Sequence, residues 1–372
     1  MRLASFSAID SNEIRIGAVF DEKETLIDLN AAYSLYLFEE QGEEQPGLVA
    51  DGALPSDMIT FLQMGSKGIE RARKAIDHLR RKGGKKSTSD SAQRKILYQT
   101  TERRLKPPVP NPPAMFWLMF TFQDTLNEVG PKGVQVVPLR PTIPAWFFKP
   151  IQCLVGPDDY VIRPTGCEHL MQSAELGVVI GRRAFRLSQH EVRDYIAGYT
   201  ICKDVTAIDF LPKEQLNWTM NRSKVFPTFA PIGPYIITTD EIPDPHKLVI
   251  EEYIDNDLKM STATGRYETK VEEIVAHASQ HIPLDSGTII SVGGPPACTD
   301  VNVRPGQTMV AKMKNLGTIR NPVISEEEAI AKGLLERPYY WPGEKDYQPY
   351  LNHPNVRQWV LKAVEQWPLI TE

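Results

Sequence analysis

Ala174-Glu175-Leu176-Gly177-Val178-Val179-Ile180-Gly181 and, further along, Tyr199-Thr200-Ile201-Cys202-Lys203-Asp204-Val205-Thr206 decide how this chain is read. Both stretches are short apolar runs rich in β-branched residues, the pattern of a buried strand. Each carries a carboxylate. A charged side chain embedded in an apolar strand is costly unless it is paired or coordinates a cation. Glu175 and Asp204 are therefore candidate metal ligands, or else partners in salt bridges. Working outward, similar runs fall at 195–205, 235–239, 248–253, 288–292 and 309–313. Only two clear helices interrupt them, at 189–197 and 271–281. That pattern predicts a strand-rich α+β, barrel-like body rather than regular βαβ alternation.

The region upstream differs. Ile14, Ile16 and Val19 alternate with polar residues, and Glu24 to Asp28 continues the pattern, which fits a pair of short strands. Helices are expected at 55–64 and 68–81. The second runs into a basic loop, Arg80 to Ser87, that fails the spacing of a phosphate loop and reads as a solvated helix end. Residues 106–114 (KPPVPNPPA) hold five prolines in nine positions and form an extended linker. The boundaries predicted are a small N-terminal α/β domain over 1–105, a strand-rich body over 106–325, and a tail over 326–372. The aromatics of the tail suit packing on the body or on a partner subunit.

Composition narrows the function classes. The chain has 372 residues, with 42 basic and 47 acidic side chains giving a formal charge of −5, so no electrostatic reason favours nucleic acid or an anionic membrane as main partner. Cysteines at 153, 167, 202 and 298 form no C-x-x-C pair and read as free thiols in a reducing compartment. The opening residues lack a signal-peptide core, and the longest apolar run, 114–120, is too short to span a bilayer. The expected location is the cytoplasm. G-x-S-x-G, H-E-x-x-H and a strand-linked G-x-G-x-x-G are all missing. His277 and His281 share a helical face at i, i+4, but no third ligand stands near them, so they read as surface or capping residues.

In sequential order, the landmarks Phe147-Phe148-Lys149-Pro150, Val155-Gly156-Pro157, Glu175 in its strand, Gly198-Tyr199-Thr200, Lys203-Asp204-Val205-Thr206-Ala207, Asp209, Lys224, Pro231-Ile232-Gly233-Pro234, Gly293-Gly294-Pro295, Pro305-Gly306 and Leu316-Gly317 follow one another. This ordered set resembles the fumarylacetoacetate hydrolase superfamily over 106–325, and the first residues resemble its small N-terminal domain. The resemblance implies a mixed, rolled β-sheet body and a homodimer. It implies a divalent cation, Mg²⁺ or Mn²⁺, held by Glu175 and Asp204, with Lys224 donating to a developing enolate oxygen. Gly293 and Gly294 match a substrate-contacting turn, with Ser173 beside the acidic strand as a further substrate contact. The segment from Phe122 to Glu128 matches a catalytic lid, placing Asp124, Thr125 and Glu128 among the catalytic candidates.

The departures from that pattern bear on mechanism. Ser173 stands where the family carries a glutamate ligand, so metal binding is expected to be weak or lost. Thr125 replaces the lid histidine, Ile208 an arginine, and Gly294 a threonine. His169 shares strand parity with Ser173 and Glu175, but in a straight strand it lies roughly 20 Å from Glu175. The reading that follows first is a C–C bond hydrolase acting on a 1,3-dicarbonyl or related oxo acid, with an aromatic acyl group hinted at by nearby aromatics. The second is a tautomerase, decarboxylase or hydratase using the same enolate chemistry; the third is a non-catalytic relative that binds a ligand.

Overall fold

The computed structural model describes residues 1–83, 89–123, 143–210, 221–295 and 301–339. Among these, the strands form one 12-stranded sheet, one 5-stranded sheet and one 2-stranded ribbon. The chain is thus a mixed α/β protein built on several sheets. The barrel-like closure expected from the strand count is not seen among the described residues: the large sheet runs from Leu97–Tyr98 at one edge to Ala145–Phe148 at the other.

At its centre lie Ala230–Thr238, Ile196–Lys203, Ala174–Ile180 and Ile289–Ser291, paired antiparallel. Every residue of Ala174–Ile180 is buried, because both faces of the sheet are covered. Leu176, Val178 and Ile201 face a cluster with Ile250, Ala311 and Ile319 of the 5-stranded sheet, while Val179, Cys202 and Ile236 pack toward Leu35, Ala75 and Leu79 of two helices. A strand covered on both sides has no polar face to alternate with, which explains its continuous apolar run.

The N-terminal segment does not stand apart as a sheet of its own. Arg2–Ala8 pairs antiparallel with Ala230–Thr238, so the first strands extend the large sheet. Helix Leu29–Gln41 follows directly, capped by Asp28, whose side chain accepts from the Ala31 N–H at 3.0 Å. The helix expected at 68–81 appears as Ser66–Arg81, and that at 271–281 as Val271–His281. The one expected at 55–64 is shorter, Met58–Gln63, starting at its cap Asp57. The helix expected at 189–197 is replaced by a single 3₁₀ turn, Val192–Tyr195, because Ile196 is already committed to the central strand opposite Ile180. The basic loop beyond Gly83 falls largely outside the described residues, as does the tail beyond Tyr339.

Candidate active site

Strand alternation sends Glu175 to the side of the sheet away from the 5-stranded layer, together with Cys202, its register partner. Just beyond the strand end, Ser173 and Asp204 exchange backbone hydrogen bonds, Ser173 N–H to Asp204 O at 3.0 Å and Asp204 N–H to Ser173 O at 2.9 Å. The ladder thus delivers both carboxylates and the Ser173 hydroxyl to one buried place.

Two ammonium groups meet Asp204. Lys149 Nζ lies 2.7 Å from Oδ1, and Lys224 Nζ donates to Oδ2. Lys224 also donates to Thr206 Oγ1 at 2.8 Å and lies over the Phe147 ring. It comes from the short helix Asn221–Lys224 and is the more exposed of the two lysines. Lys149 is fully buried. It donates to the carbonyls of Phe229 (2.7 Å) and Val205 (3.1 Å) and sits over the Trp117 ring. Burial alone pushes Asp204 up, but the two lysines outweigh it and hold this carboxyl below its ordinary range. Burial lowers Lys149 despite Asp204. Glu175 moves the other way: burial first, then the nearby Asp204 charge, raise it, while a 2.5 Å hydrogen bond from Ser291 Oγ resists.

The glycine turn closes the site. A Cβ on Gly294 would lie 1.7 Å from Ser173 Oγ and 3.0 Å from Glu175 Oε1. Gly293 has φ +93°, and a Cβ there would stand 2.2 Å from Thr121 Oγ1. Only glycine lets the backbone come this close. Thr121 Oγ1 donates to Val292 O at 2.7 Å, and Tyr267 OH donates to Gly293 O at 3.0 Å.

The structure thus brings together Glu175, Asp204, Lys224, Ser173, Gly293 and Gly294. Asp124, Thr125 and Glu128 lie outside the described residues. Lys149 is the participant that sequence reasoning missed: it stood inside a recognised landmark, but nothing local marked it as buried. His169 does not join the centre; its backbone N–H donates to Asp209, and its Nε2 has no partner among the described residues. His277 and His281 flank Trp146, with ring centroids 5.2 and 5.5 Å away, and no group of three metal-ligating side chains occurs among the described residues. Cys153, Cys167 and Cys202 are buried free thiols, and Cys298 lies outside the described residues. No helix among the described residues is long and apolar enough to cross a membrane.

A divalent cation suits this donor set in part. Among the described residues two buried carboxylates, Glu175 and Asp204, are close enough to influence each other, and Glu175 Oε1 lies 3.0 Å from where a Gly294 Cβ would stand. Two anionic ligands plus water complete a hard-cation site, although Asp204 is already shared with two lysines. The fit is that of a weak site held by Glu175 and Asp204.

Residues 119–324 match the family model described as fumarylacetoacetate (FAA) hydrolase, C-terminal. A mitochondrial oxaloacetate tautomerase of Xenopus laevis is 29% identical over 330 residues, covering 87% of this chain and 90% of that protein. The 4-hydroxyphenylacetate degradation bifunctional isomerase/decarboxylase of Escherichia coli is 30% identical over 232 residues, 62% of this chain and 52% of that one. Among solved structures, maleylpyruvate hydrolase of Sphingobium sp. SYK-6, in complex with manganese(II) ion and pyruvate, superposes with a TM-score of 0.61 at 20% identity, covering 87% of this chain and 99% of that one. These likenesses and the converging centre give one conclusion: the chain is an enzyme of the fumarylacetoacetate hydrolase superfamily.

Proposed function

We propose that the protein interconverts keto and enol forms of a small 2-oxo acid, with oxaloacetate as the first substrate to test. The observation that carries this reading is Lys224 Nζ, held between Asp204 and Thr206 at the mouth of the buried centre. An ammonium fixed there stabilises an enolate oxygen as negative charge develops on it. Lys149 and Lys224 together offset the two carboxylates, so an incoming anionic acid meets no net repulsion.

The step is a proton transfer. A base removes the proton from the carbon next to the carbonyl, and the C–H electron pair becomes the C=C bond of the enolate. Carbonyl π electrons move onto oxygen beside Lys224, and a proton delivered to that oxygen completes the enol. The reverse sequence, loss of the O–H proton and return of a proton to carbon, gives the keto form. Asp124 and Glu128 are the proposed proton carriers. A bound divalent cation, held by Glu175 and Asp204, would supply charge to the chelated oxygens of the oxo acid. The relative whose structure holds manganese suggests Mn²⁺ as the first ion to test.

Hydrolysis of a C–C bond is the second reading, and the same enolate centre serves it. It further needs an activated water, and the sequence has no histidine between His78 and His169 to fill the role that the resemblance gives to position 125. That favours the tautomerase. Oxaloacetate presented as enol should ketonise faster with the enzyme, without cleavage. A panel of 1,3-dicarbonyl acids in ¹⁸O-labelled water tests the alternative: label in a newly formed carboxylate would make the protein a hydrolase. A cytoplasmic homodimer completes the proposal; the tautomerase relatives are described as mitochondrial, so cell fractionation and the mass of the native particle decide these two points.

A further inference from the structure

Ser173 and Gly294 meet at an unusually close approach. Ser173 is 93% buried by its 7% exposure, its backbone N–H and C=O are both bonded to Asp204, and its Oγ has no hydrogen-bond partner among the described residues. A buried hydroxyl without a partner is unfavourable and calls for a polar guest. The guest's position is fixed by the turn. The Oγ lies 1.7 Å from the point where a Gly294 Cβ would be, and Glu175 Oε1 lies 3.0 Å from that same point. The hydroxyl therefore occupies space that any side chain at 294 would need. The turn is held in place by two hydrogen bonds, Thr121 Oγ1 to Val292 O and Tyr267 OH to Gly293 O.

We propose that Ser173 and Gly294 act as one matched unit, in which the Ser173 hydroxyl donates to an anionic oxygen of the bound oxo acid and Gly294 is glycine so that this hydroxyl can reach it. Ser173 is then a substrate-binding group rather than a vestige of a metal ligand. The inference rests on the enolate-site reading above. It adds the prediction that the hydroxyl can be supplied from either of the two positions, but from only one at a time. An anionic oxygen is the matching guest because a hydroxyl donor bonds a charged acceptor more strongly than a neutral one.

The test uses the full chain and oxalate, a planar dianion shaped like an enolised 2-oxo acid, titrated calorimetrically with Mn²⁺ present. Ser173→Ala should weaken oxalate binding by about 10- to 100-fold, the worth of one hydrogen bond to a charged oxygen. Gly294→Ser, which drives a side chain into Ser173 Oγ, should weaken it at least as much. The double variant Ser173→Gly/Gly294→Ser restores one hydroxyl and removes the clash, so its affinity should return to within a few-fold of the parent. Unchanged binding in Ser173→Ala overturns the role of the hydroxyl. A double variant as weak as the two singles combined overturns the matched unit, and a parent chain that does not bind oxalate overturns both. Should Gly294→Ser fail to fold, Ser173→Ala and the double variant still decide. Oxalate binding that behaves as expected in a protein that does not turn over oxaloacetate leaves this inference standing and removes the tautomerase reading.

Discussion

Lys203 and Asp204 are neighbours in the chain, both charged and both buried, yet they serve opposite faces of one sheet. Asp204 pairs through its backbone with Ser173, whose hydroxyl meets the glycine turn, and is ringed by Lys149 and Lys224, the second of which still reaches solvent. Lys203 faces the 5-stranded layer, fully enclosed. Its Nζ donates to Met309 O at 2.7 Å, and its charge is met by Glu252, whose carboxylate accepts from the Ala174 N–H. Burial drives Lys203 well below the ordinary lysine range and pushes Glu252 up to about 7. The difference shows that a buried charge in an apolar strand does not by itself mark a reactive centre. Asp204 belongs to one because a glycine turn and an accessible ammonium stand beside it; Lys203 is sealed between two sheets and ties them together.

The sharpest way to break this contrast is at Lys224. Lys224→Met removes the ammonium at the developing oxyanion, and kcat for enol–keto interconversion should fall about 100- to 1,000-fold. The melting temperature should move little, because the fully buried Lys149 still pairs with Asp204. Stopped-flow rates and a thermal melt on the same sample check both halves. A variant that keeps its rate would put the reaction elsewhere.

Lys203→Met sharpens the same contrast from the other face. It leaves the Met309 carbonyl without its buried donor and removes the charge that offsets Glu252, and orphaning buried polar groups in this way costs about 1–3 kcal/mol of stability. Chemical denaturation should show that loss while kcat of the folded enzyme stays close to the parent value. A large loss of kcat with unchanged stability would mean that the two faces are not separate.

The pH dependence of stability tests Glu252 itself. Its carboxyl ionises at about 7 in the folded chain against an ordinary 4.5 when unfolded. Between those values the unfolded chain has released a proton that the folded chain still holds. Stability from this group therefore falls as pH rises from about 4.5 to about 7 and is level on either side. Glu252→Gln keeps a carbonyl oxygen for the Ala174 N–H and removes the titration, so urea melts across that window should lose this slope.

What the sequence revealed follows from the same physics. Glu175 and Asp204 were legible because charge in an apolar strand is conspicuous, whereas Lys224 and the Gly293-Gly294-Pro295 turn were legible only through the ordered landmarks of the family resemblance. Lys149 was not: it follows two aromatics and precedes Pro150, which reads as a strand ending at the surface, and only tertiary packing slides it under Trp117 and Phe229. Helix Leu29–Gln41 was missed for a related reason. Leu29 to Leu35 are all buried, polar Asn30 and Ser34 included, so no apolar stripe of helical period stands out. The turn at Val192–Tyr195 misled in the opposite sense, its local polarity imitating a helix that the strand from Ile196 cuts short. The long-range pairing of Arg2 with Ile237, which joins the first strands to the large sheet, has no local signal at all.

The smallest expected effect separates holding the turn from doing the chemistry. Tyr267 is buried, its ring tilted on Phe122 with centroids 4.3 Å apart, and its OH donates to Gly293 O. Burial first, and then the Glu175 charge, keep that phenol protonated well beyond the ordinary tyrosine range, so it acts as a donor and not as a base. Tyr267→Phe keeps the ring contact and loses one hydrogen bond, leaving the Gly293 carbonyl unsatisfied at a cost of about 1 kcal/mol. Thr121 still holds the adjacent Val292 carbonyl, so the turn should shift rather than unfold. KM for the oxo acid should therefore rise a few-fold with kcat nearly constant, as measured by initial rates over a range of substrate concentrations. A fall in kcat as large as that of Lys224→Met would place Tyr267 among the reacting groups. The boundary drawn here between the ion-paired centre and the frame that holds its turn would then have to move.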